Sequence, residues 1–178
     1  MSSKVHNSII TAPSLLLSLF AIAATYLIFF GFNYLFVFIG WFIEDSDFLY
    51  YVFAFLFEYD AGVTLFFLCC AASSFLSFRI VVYIFNAINK IDDRTRKIVF
   101  IISGCVMVVL NISNLTYIIF DNFASVSFYH FSALLDFLWN TFGDYDGAFF
   151  QNFFLSLSGV AFIAKSHSFH TVYKIEQQ

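Results

Sequence analysis

Few side chains in this 178-residue chain could act as an acid, a base, a nucleophile or a metal ligand. Cys69, Cys70 and Cys105 are odd in number and lie inside apolar runs, where cysteine packs as a small apolar residue. His167 and His170 could form half of a metal site, which needs further ligands. We find no phosphate-binding loop, no nucleophile paired with a base and no nucleic-acid signature. The sequence predicts no cofactor, no metal, no enzymatic activity and no direct binding of nucleic acid.

Hydroxyl and amide side chains recur at helical spacing within the apolar runs. Ser103, Asn111 and Asn114 share one face of one run, and Asn152 lies on a polar face of the last run. Such side chains mediate contacts between membrane helices, at about 0.6 kcal/mol for each hydrogen bond. They could instead line a polar pore in an oligomer, with acidic residues at its mouth favouring cations. The sequence leaves both interpretations open.

Charged residues form two groups that could meet partners. The basic group could dock anionic lipid head groups or a soluble protein, although membrane topology alone also places basic residues at helix ends. The acidic group is interleaved with aromatic residues and could form an outward-facing recognition surface. The basic group is Arg79, Lys90, Arg94, Arg96, Lys97 and Lys165. The second group is Glu44, Asp45, Asp47, Phe53, Phe55, Glu58, Asp60, Asp136, Asp144 and Asp146.

The elements that carry these residues are predicted to be transmembrane helices. The chain is 61% hydrophobic and 11% charged, with a mean hydropathy of +0.86, far from the mixture found in soluble globular proteins. Four uncharged runs approach the roughly 20 residues that cross about 30 Å of hydrocarbon. We therefore expect one all-α membrane domain over residues 1–178. The predicted spans are 9–31, 61–81, 98–120 and 147–165, with an inner loop at 82–97 and a tail at 166–178.

The first apolar run is longer than one span. A continuous helix over residues 7–43 would be about 55 Å long, so we place the end of the span near Gly31. Residues 32–60 and 121–146 then become outer segments, each with an amphipathic helical stretch in the interface. Lys4, the apolar run and Ala21-Ile22-Ala23 also have the features of a secretory signal, but we interpret this stretch as a span.

Charge gives the orientation. All eight basic residues fall on one side of the predicted spans, with three acids, which gives a formal charge of plus five. The opposite side carries nine acids and no lysine or arginine. Since positive residues near span ends stay cytoplasmic, both termini are predicted to be cytoplasmic.

The inner loop also predicts local structure. Asp92 stands four residues before Arg96, and Asp93 four before Lys97, the favourable order for salt bridges along a helix. We expect the third helix to begin here, with Asp92 or Asp93 near its N-terminal cap.

A weak internal repeat divides the chain into halves. Residues 25–29 (TYLIF) match residues 116–120 (TYIIF), and an acid-Tyr-Asp sequence precedes both the second and the fourth span. The two halves enter the membrane in the same direction, which predicts a parallel tandem repeat of two helices. Chance similarity in a Phe-rich chain is the alternative.

The whole pattern resembles the small four-span membrane subunits of bacterial anti-phage defence systems, such as that of the Kiwa system. The similarity covers the topology of the chain, and no motif carries residue roles across. The resemblance implies a homo-oligomer of the plasma (inner) membrane, such as a tetramer, that senses infection at the envelope and acts through a soluble cytosolic partner. Two other functions stay open from the residues alone: an oligomeric ion channel and, less well matched, a small-molecule transporter.

Overall fold

The computed structural model describes residues 11–44, 46, 59–88, 90–125 and 148–169, which form four α-helices. They are α1 (Ala12–Glu44), α2 (Tyr59–Ala87), α3 (Asp93–Ser125) and α4 (Ala148–Ser168). Each helix contains a stretch long and apolar enough to cross a membrane, as the sequence predicts. The protein is an all-α, multi-pass membrane protein.

Helix α1 does not stop at Gly31, the predicted end of the first span. It is continuous to Glu44, and its most apolar stretch extends over Ala12–Phe36. No proline or polar cluster interrupts residues 32–43, so no local signal ends the helix there. Of the predicted outer segments 32–60 and 121–146, residues 45–58 and 126–146 lie outside the described residues apart from Ser46.

The four helices form a ring in the order α1, α2, α4, α3, because α1 packs mainly on α2 and α3, and α4 packs on the same two helices. Helices α1 and α3 run in the same direction, opposite to α2 and α4. We call the end that carries the α2–α3 turn the turn end. The N-terminus of α1 and the C-terminus of α4 also lie there.

The interior combines phenylalanine with small polar side chains. At the turn end, the Phe100 ring lies between Phe85 and Phe162, with ring centroids 5.6 and 5.4 Å away. Across the whole bundle, serine, threonine and asparagine make up about half of the buried side chains among the described residues, while large apolar side chains cover the exterior. A soluble bundle has the reverse arrangement. In lipid, small and polar residues are those that mediate close helix contacts.

The internal repeat stays a prediction. Tyr26 and Tyr117 occupy matching positions of the two halves, but the Tyr26 hydroxyl bonds to Asn111 while Tyr117 is 70% exposed. The second pair of matching sequences lies mostly outside the described residues.

Candidate functional site

The α2–α3 turn is fixed by a helix cap. The Asp92 carboxylate accepts a hydrogen bond from the backbone N–H of Thr95 at 3.2 Å, and the Asp92 carbonyl accepts the N–H of Arg96 at 3.0 Å. This is N-cap geometry, and it confirms the predicted cap. Hydrogen bonds from Thr95 lower the pKa of Asp92 below its ordinary value, and the bond from the Thr95 side chain has a larger effect than the bond from its backbone.

Arg96 ties the end of α2 to the start of α3. Its Nη2 donates to the carbonyl oxygen of Ile88 at 2.9 Å, and its Nη1 donates to the Asp93 carboxylate at 3.1 Å. The prediction that Arg96 would pair with Asp92 is wrong, because the Asp92 carboxylate caps the helix. The Arg96 side chain is only 14% exposed, so this member of the predicted docking group serves the turn itself.

The other basic residues divide into two kinds. Arg79 lies over the ring of Phe75 on the same helix at 5.8 Å, and Lys165 lies over the ring of Phe169, just beyond the end of α4, at 5.5 Å. Both are cation–π contacts, in which the charged group lies over the face of an aromatic ring. Lys90 and Arg94 are exposed on or beside the turn, and Lys97 is half-buried. Within the described part of the chain, none of these last three forms an ion pair.

The polar face of α3 turns toward α1. Ser103 is fully buried, and its hydroxyl donates to the Ser18 carbonyl at 3.2 Å. Asn111 is 1% exposed, and its Nδ2 donates to the Tyr26 hydroxyl at 2.8 Å. These two residues therefore mediate helix contacts inside one protomer, as the simpler of the two sequence interpretations expects.

Asn114 and Asn152 lie further along, between α3 and α4. Asn114 Nδ2 donates to Asn152 Oδ1 at 3.2 Å, and Asn152 Nδ2 donates to the Ala148 carbonyl at 2.8 Å. Asn114 is exposed, unlike Ser103 and Asn111. Asn114 and Asn152 therefore contact each other across α3 and α4, and the pore interpretation of the polar residues stays a prediction.

Two further polar contacts were not predicted. Between α2 and α4, the hydroxyls of Ser74 and Ser158 lie 2.7 Å apart, and Ser74 also donates to the Phe154 carbonyl at 2.9 Å. Between α1 and α2, Asn33 Oδ1 accepts from Ser73 at 3.4 Å, while Asn33 Nδ2 has no partner among the described residues. The sequence does show polar residues at helical spacing within the apolar runs. It does not show which polar residue contacts which, because that depends on the order of the helices in the bundle.

Helices α3 and α4 cross at two glycines. A Cβ added to Gly104 would lie 2.5 Å from the Gly159 carbonyl oxygen, and one added to Gly159 would lie 2.8 Å from the Gly104 carbonyl oxygen. The backbones therefore touch, and only glycine fits at either position. A lone glycine inside an apolar helix is the sequence signal for such a contact.

The predicted outer recognition surface falls almost wholly outside the described residues. Glu44 ends α1 and Asp60 lies in the first turn of α2, both at the end of the bundle away from the α2–α3 turn. The remaining members are not described: Asp45, Asp47, Phe53, Phe55, Glu58, Asp136, Asp144 and Asp146. Among the described residues, no group of three or more His, Cys, Asp or Glu could hold a metal ion.

No family model, curated protein or solved structure matches this chain.

Proposed function

We propose that this protein is a non-enzymatic sensor and anchor of the plasma (inner) membrane. Both termini and the α2–α3 turn lie in the cytoplasm, and the acidic and aromatic segments meet the outside. The protein forms a homo-oligomer, for which we propose a tetramer, and contacts membrane lipids. It responds to an event at the envelope, such as phage infection, by recruiting or controlling a soluble cytosolic effector. The nucleic-acid activity, if the response requires one, belongs to that effector.

The observation that carries this proposal is that the charged residues at the α2–α3 turn have two different roles. Arg96, Asp93 and Asp92 fix the turn, whereas Lys90 and Arg94 stay exposed beside it. A turn that is held by these hydrogen bonds and presents two cations without an ion pair from the described residues suits an acidic surface on a soluble protein. Pre-organisation lowers the entropy that such a partner must lose on binding.

The arrangement of the helices also supports an anchor. Nearly all of the described residues belong to the four helices, which is the composition expected of a membrane anchor. The resemblance to small defence-system membrane subunits requires four spans, and the structure has four helices long and apolar enough to cross a membrane. In those systems a soluble partner supplies the activity, and we propose the same for this chain.

An oligomeric cation channel is the second candidate, favoured by the exposed amide of Asn114 within an apolar helix. Ser103 and Asn111 support it less, because both bond inside the protomer. Conductance of the purified protein in a planar bilayer is the assay for this alternative.

The test of the proposal is purification from the native host through a C-terminal tag in mild detergent, followed by mass spectrometry of bound proteins. We expect a soluble partner in stoichiometric amount with the unaltered protein, and its loss from the double variant Lys90→Gln, Arg94→Gln. The variant Arg79→Gln is the matched control, since Arg79 lies over Phe75 on the side of α2. A protein that is recovered alone under these conditions would contradict the sensor-anchor function.

A further inference from the structure

Two basic residues on neighbouring helices lie at nearly the same level of the bundle, near the turn end. The hydroxyls of Ser74 on α2 and Ser158 on α4 lie 2.7 Å apart. Arg79 is five residues beyond Ser74, and Lys165 is seven residues beyond Ser158. Because α2 and α4 run in the same direction with a rise of about 1.5 Å per residue, the levels of Arg79 and Lys165 differ by about 3 Å.

A third basic residue, Lys97 on α3, belongs to the same level. Helices α3 and α4 run in opposite directions and touch at Gly104 and Gly159. Lys97 lies seven residues before Gly104, and Lys165 lies six residues after Gly159, so both lie on the turn-end side of the crossing. Their levels differ by about 1.5 Å. We call Arg79, Lys97 and Lys165, which come from three helices and lie within about one helical turn of each other in level, the cationic belt.

Arg79 is the belt residue with the greatest unmet demand for a partner. It is exposed on the side of α2 that faces away from the other helices, in line with Leu68, Phe75 and Tyr83, which are 56%, 61% and 74% exposed. A guanidinium is permanently charged and carries five N–H donors. The described residues offer it the face of the Phe75 ring but no hydrogen-bond acceptor. Lipid tails offer none either.

Among the described residues, no acidic side chain is placed to neutralise the belt. At the turn end, the Asp92 carboxylate caps α3 and the Asp93 carboxylate pairs with Arg96. The remaining described acids lie toward the opposite end of the bundle: Glu44, Asp60 and Asp121. Around a multi-pass membrane protein, the anions at the level where the hydrocarbon ends are the phosphate groups of lipids.

We propose that the cationic belt binds the phosphate groups of anionic phospholipids in the leaflet at the turn end. Long basic side chains on an apolar helix surface reach to the head groups. There a guanidinium can form two parallel hydrogen bonds with one phosphate, while an ammonium binds it as a point charge. This inference rests on the lipid contacts in the proposed function and identifies the residues that make them.

The belt also sets how far the α2–α3 turn stands out of the membrane. Helix α2 continues for eight residues from Arg79 to Ala87, which is about 12 Å along its axis. The head-group region adds only about 5–8 Å to the hydrocarbon on each side of a bilayer. With phosphates at the level of Arg79, Lys90 in the turn stands clear of the head groups, where a soluble partner can reach it.

Lipid selectivity at the protein surface tests the belt directly. Spin-labelled phosphatidylglycerol and phosphatidylcholine, each added to liposomes that contain the protein, give the association constant of one lipid relative to the other by electron paramagnetic resonance. We expect the unaltered protein to prefer phosphatidylglycerol. Arg79→Gln should lower its relative association constant by up to about 5-fold, and Arg79→Lys, which keeps the charge, should retain most of the preference.

Lys90→Gln is the matched control, since it removes the same single charge from the turn. Lys90 lies beyond the end of α2, about 12 Å or more from the level of Arg79, whereas the Debye length at physiological ionic strength is about 8 Å. The relative association constant should therefore not change in this variant. Circular dichroism checks that the helices persist in each variant.

Depth along α2 gives a second measurement that leaves the belt intact. Tyr83→Cys and Leu68→Cys, each in a background of Cys69→Ala and Cys105→Ala, would carry a spin label about 6 Å beyond Arg79 and about 16 Å before it. We expect a water-soluble nickel complex, present on both sides of the liposome membrane, to relax the label at residue 83. Oxygen, which concentrates in hydrocarbon, should relax the label at residue 68.

Two results would overturn the proposal. One is an equal relative association constant in Arg79→Gln and the unaltered protein. The other is a label at residue 83 that responds to oxygen and not to the nickel complex, because the hydrocarbon would then continue to the end of α2. Neither measurement involves a soluble partner. A failed belt with a captured partner, or the reverse, would therefore show which of the two proposals is wrong.

Discussion

The crossing of α3 and α4 at Gly104 gives the sharpest prediction about stability. A Cβ on Gly104 would lie 2.5 Å from the Gly159 carbonyl oxygen, whereas ordinary contact begins at 3.4 Å, so the helices must separate by about 0.9 Å. The obstacle is backbone, which cannot rotate away as a flexible side chain can. Overpacking of this kind destabilises proteins by about 1–3 kcal/mol. We therefore expect Gly104→Ala to lower the free energy of unfolding.

The same substitution elsewhere in the chain provides the control. A Cβ added to Gly31 in α1 would meet nothing within 4 Å. Alanine is favoured over glycine in a helix by about 1 kcal/mol, and both variants receive this gain. The difference in the free energy of unfolding between Gly31→Ala and Gly104→Ala therefore reports the cost of the added Cβ at the helix crossing. We expect this difference to be about 1–3 kcal/mol.

Unfolding in mixed micelles, followed by circular dichroism as the fraction of denaturing detergent rises, measures both variants against the unaltered protein. Gly31→Ala should be as stable as the unaltered protein or more so, and Gly104→Ala should be the less stable of the two variants. If Gly104→Ala were as stable as Gly31→Ala, the two backbones could not lie in contact as described, and the packing of α3 on α4 would need another basis.

Three further predictions concern the polar contacts. A double-mutant cycle of Asn111→Leu and Tyr26→Phe should give a coupling of about 0.6 kcal/mol, up to about 1.7, in the same unfolding assay, and no coupling when Thr116→Val replaces Asn111→Leu. Arg96→Gln should destabilise the protein by about 1 kcal/mol because the Ile88 carbonyl loses a charged donor, while Arg94→Gln should stay within about 0.5 kcal/mol; equal effects would show that Arg96 does not fasten the turn. Asp92→Ala should cost about 1 kcal/mol near neutral pH. The folded-state pKa of Asp92 is lowered from 3.8, so its ionised form stabilises the fold above that pH and the stabilisation is lost as pH falls through the folded pKa. The difference between Asp92→Ala and the unaltered protein should therefore shrink below about pH 4, and a constant difference would contradict the cap.

The four helices could be predicted because charges interrupt the apolar runs near their ends, and the cap at Asp92 because aspartate precedes a helical stretch. The end of the first span could not be predicted as a helix end. The prediction of Gly31 rests on bilayer thickness. Thickness limits the length of helix that lies in the hydrocarbon, but it does not break the backbone hydrogen bonds of the helix. The helix therefore continues to Glu44.

The polar faces could be recognised, but their partners could not. Spacing places Ser103 and Asn111 on one face, whereas their contact with Ser18 and Tyr26 depends on α1 lying beside α3. That position follows from the ring order of the helices, which spacing along one helix does not encode. The same limit explains why the sequence predicts Arg96 as a docking residue. Its hydrogen-bond acceptor is the carbonyl of Ile88 at the end of the preceding helix, and this contact depends on how the two helices meet.

The central claim is that the cationic α2–α3 turn faces the cytosol, where a soluble partner can reach it. The most direct measurement is labelling of Lys90→Cys, in the background of Cys69→Ala and Cys105→Ala, with a maleimide that does not cross membranes. Lys90 is exposed, so a cysteine there is accessible to reagent on its own side. We predict labelling only after the cells are permeabilised. Labelling in intact cells would place the turn outside and contradict the proposed function.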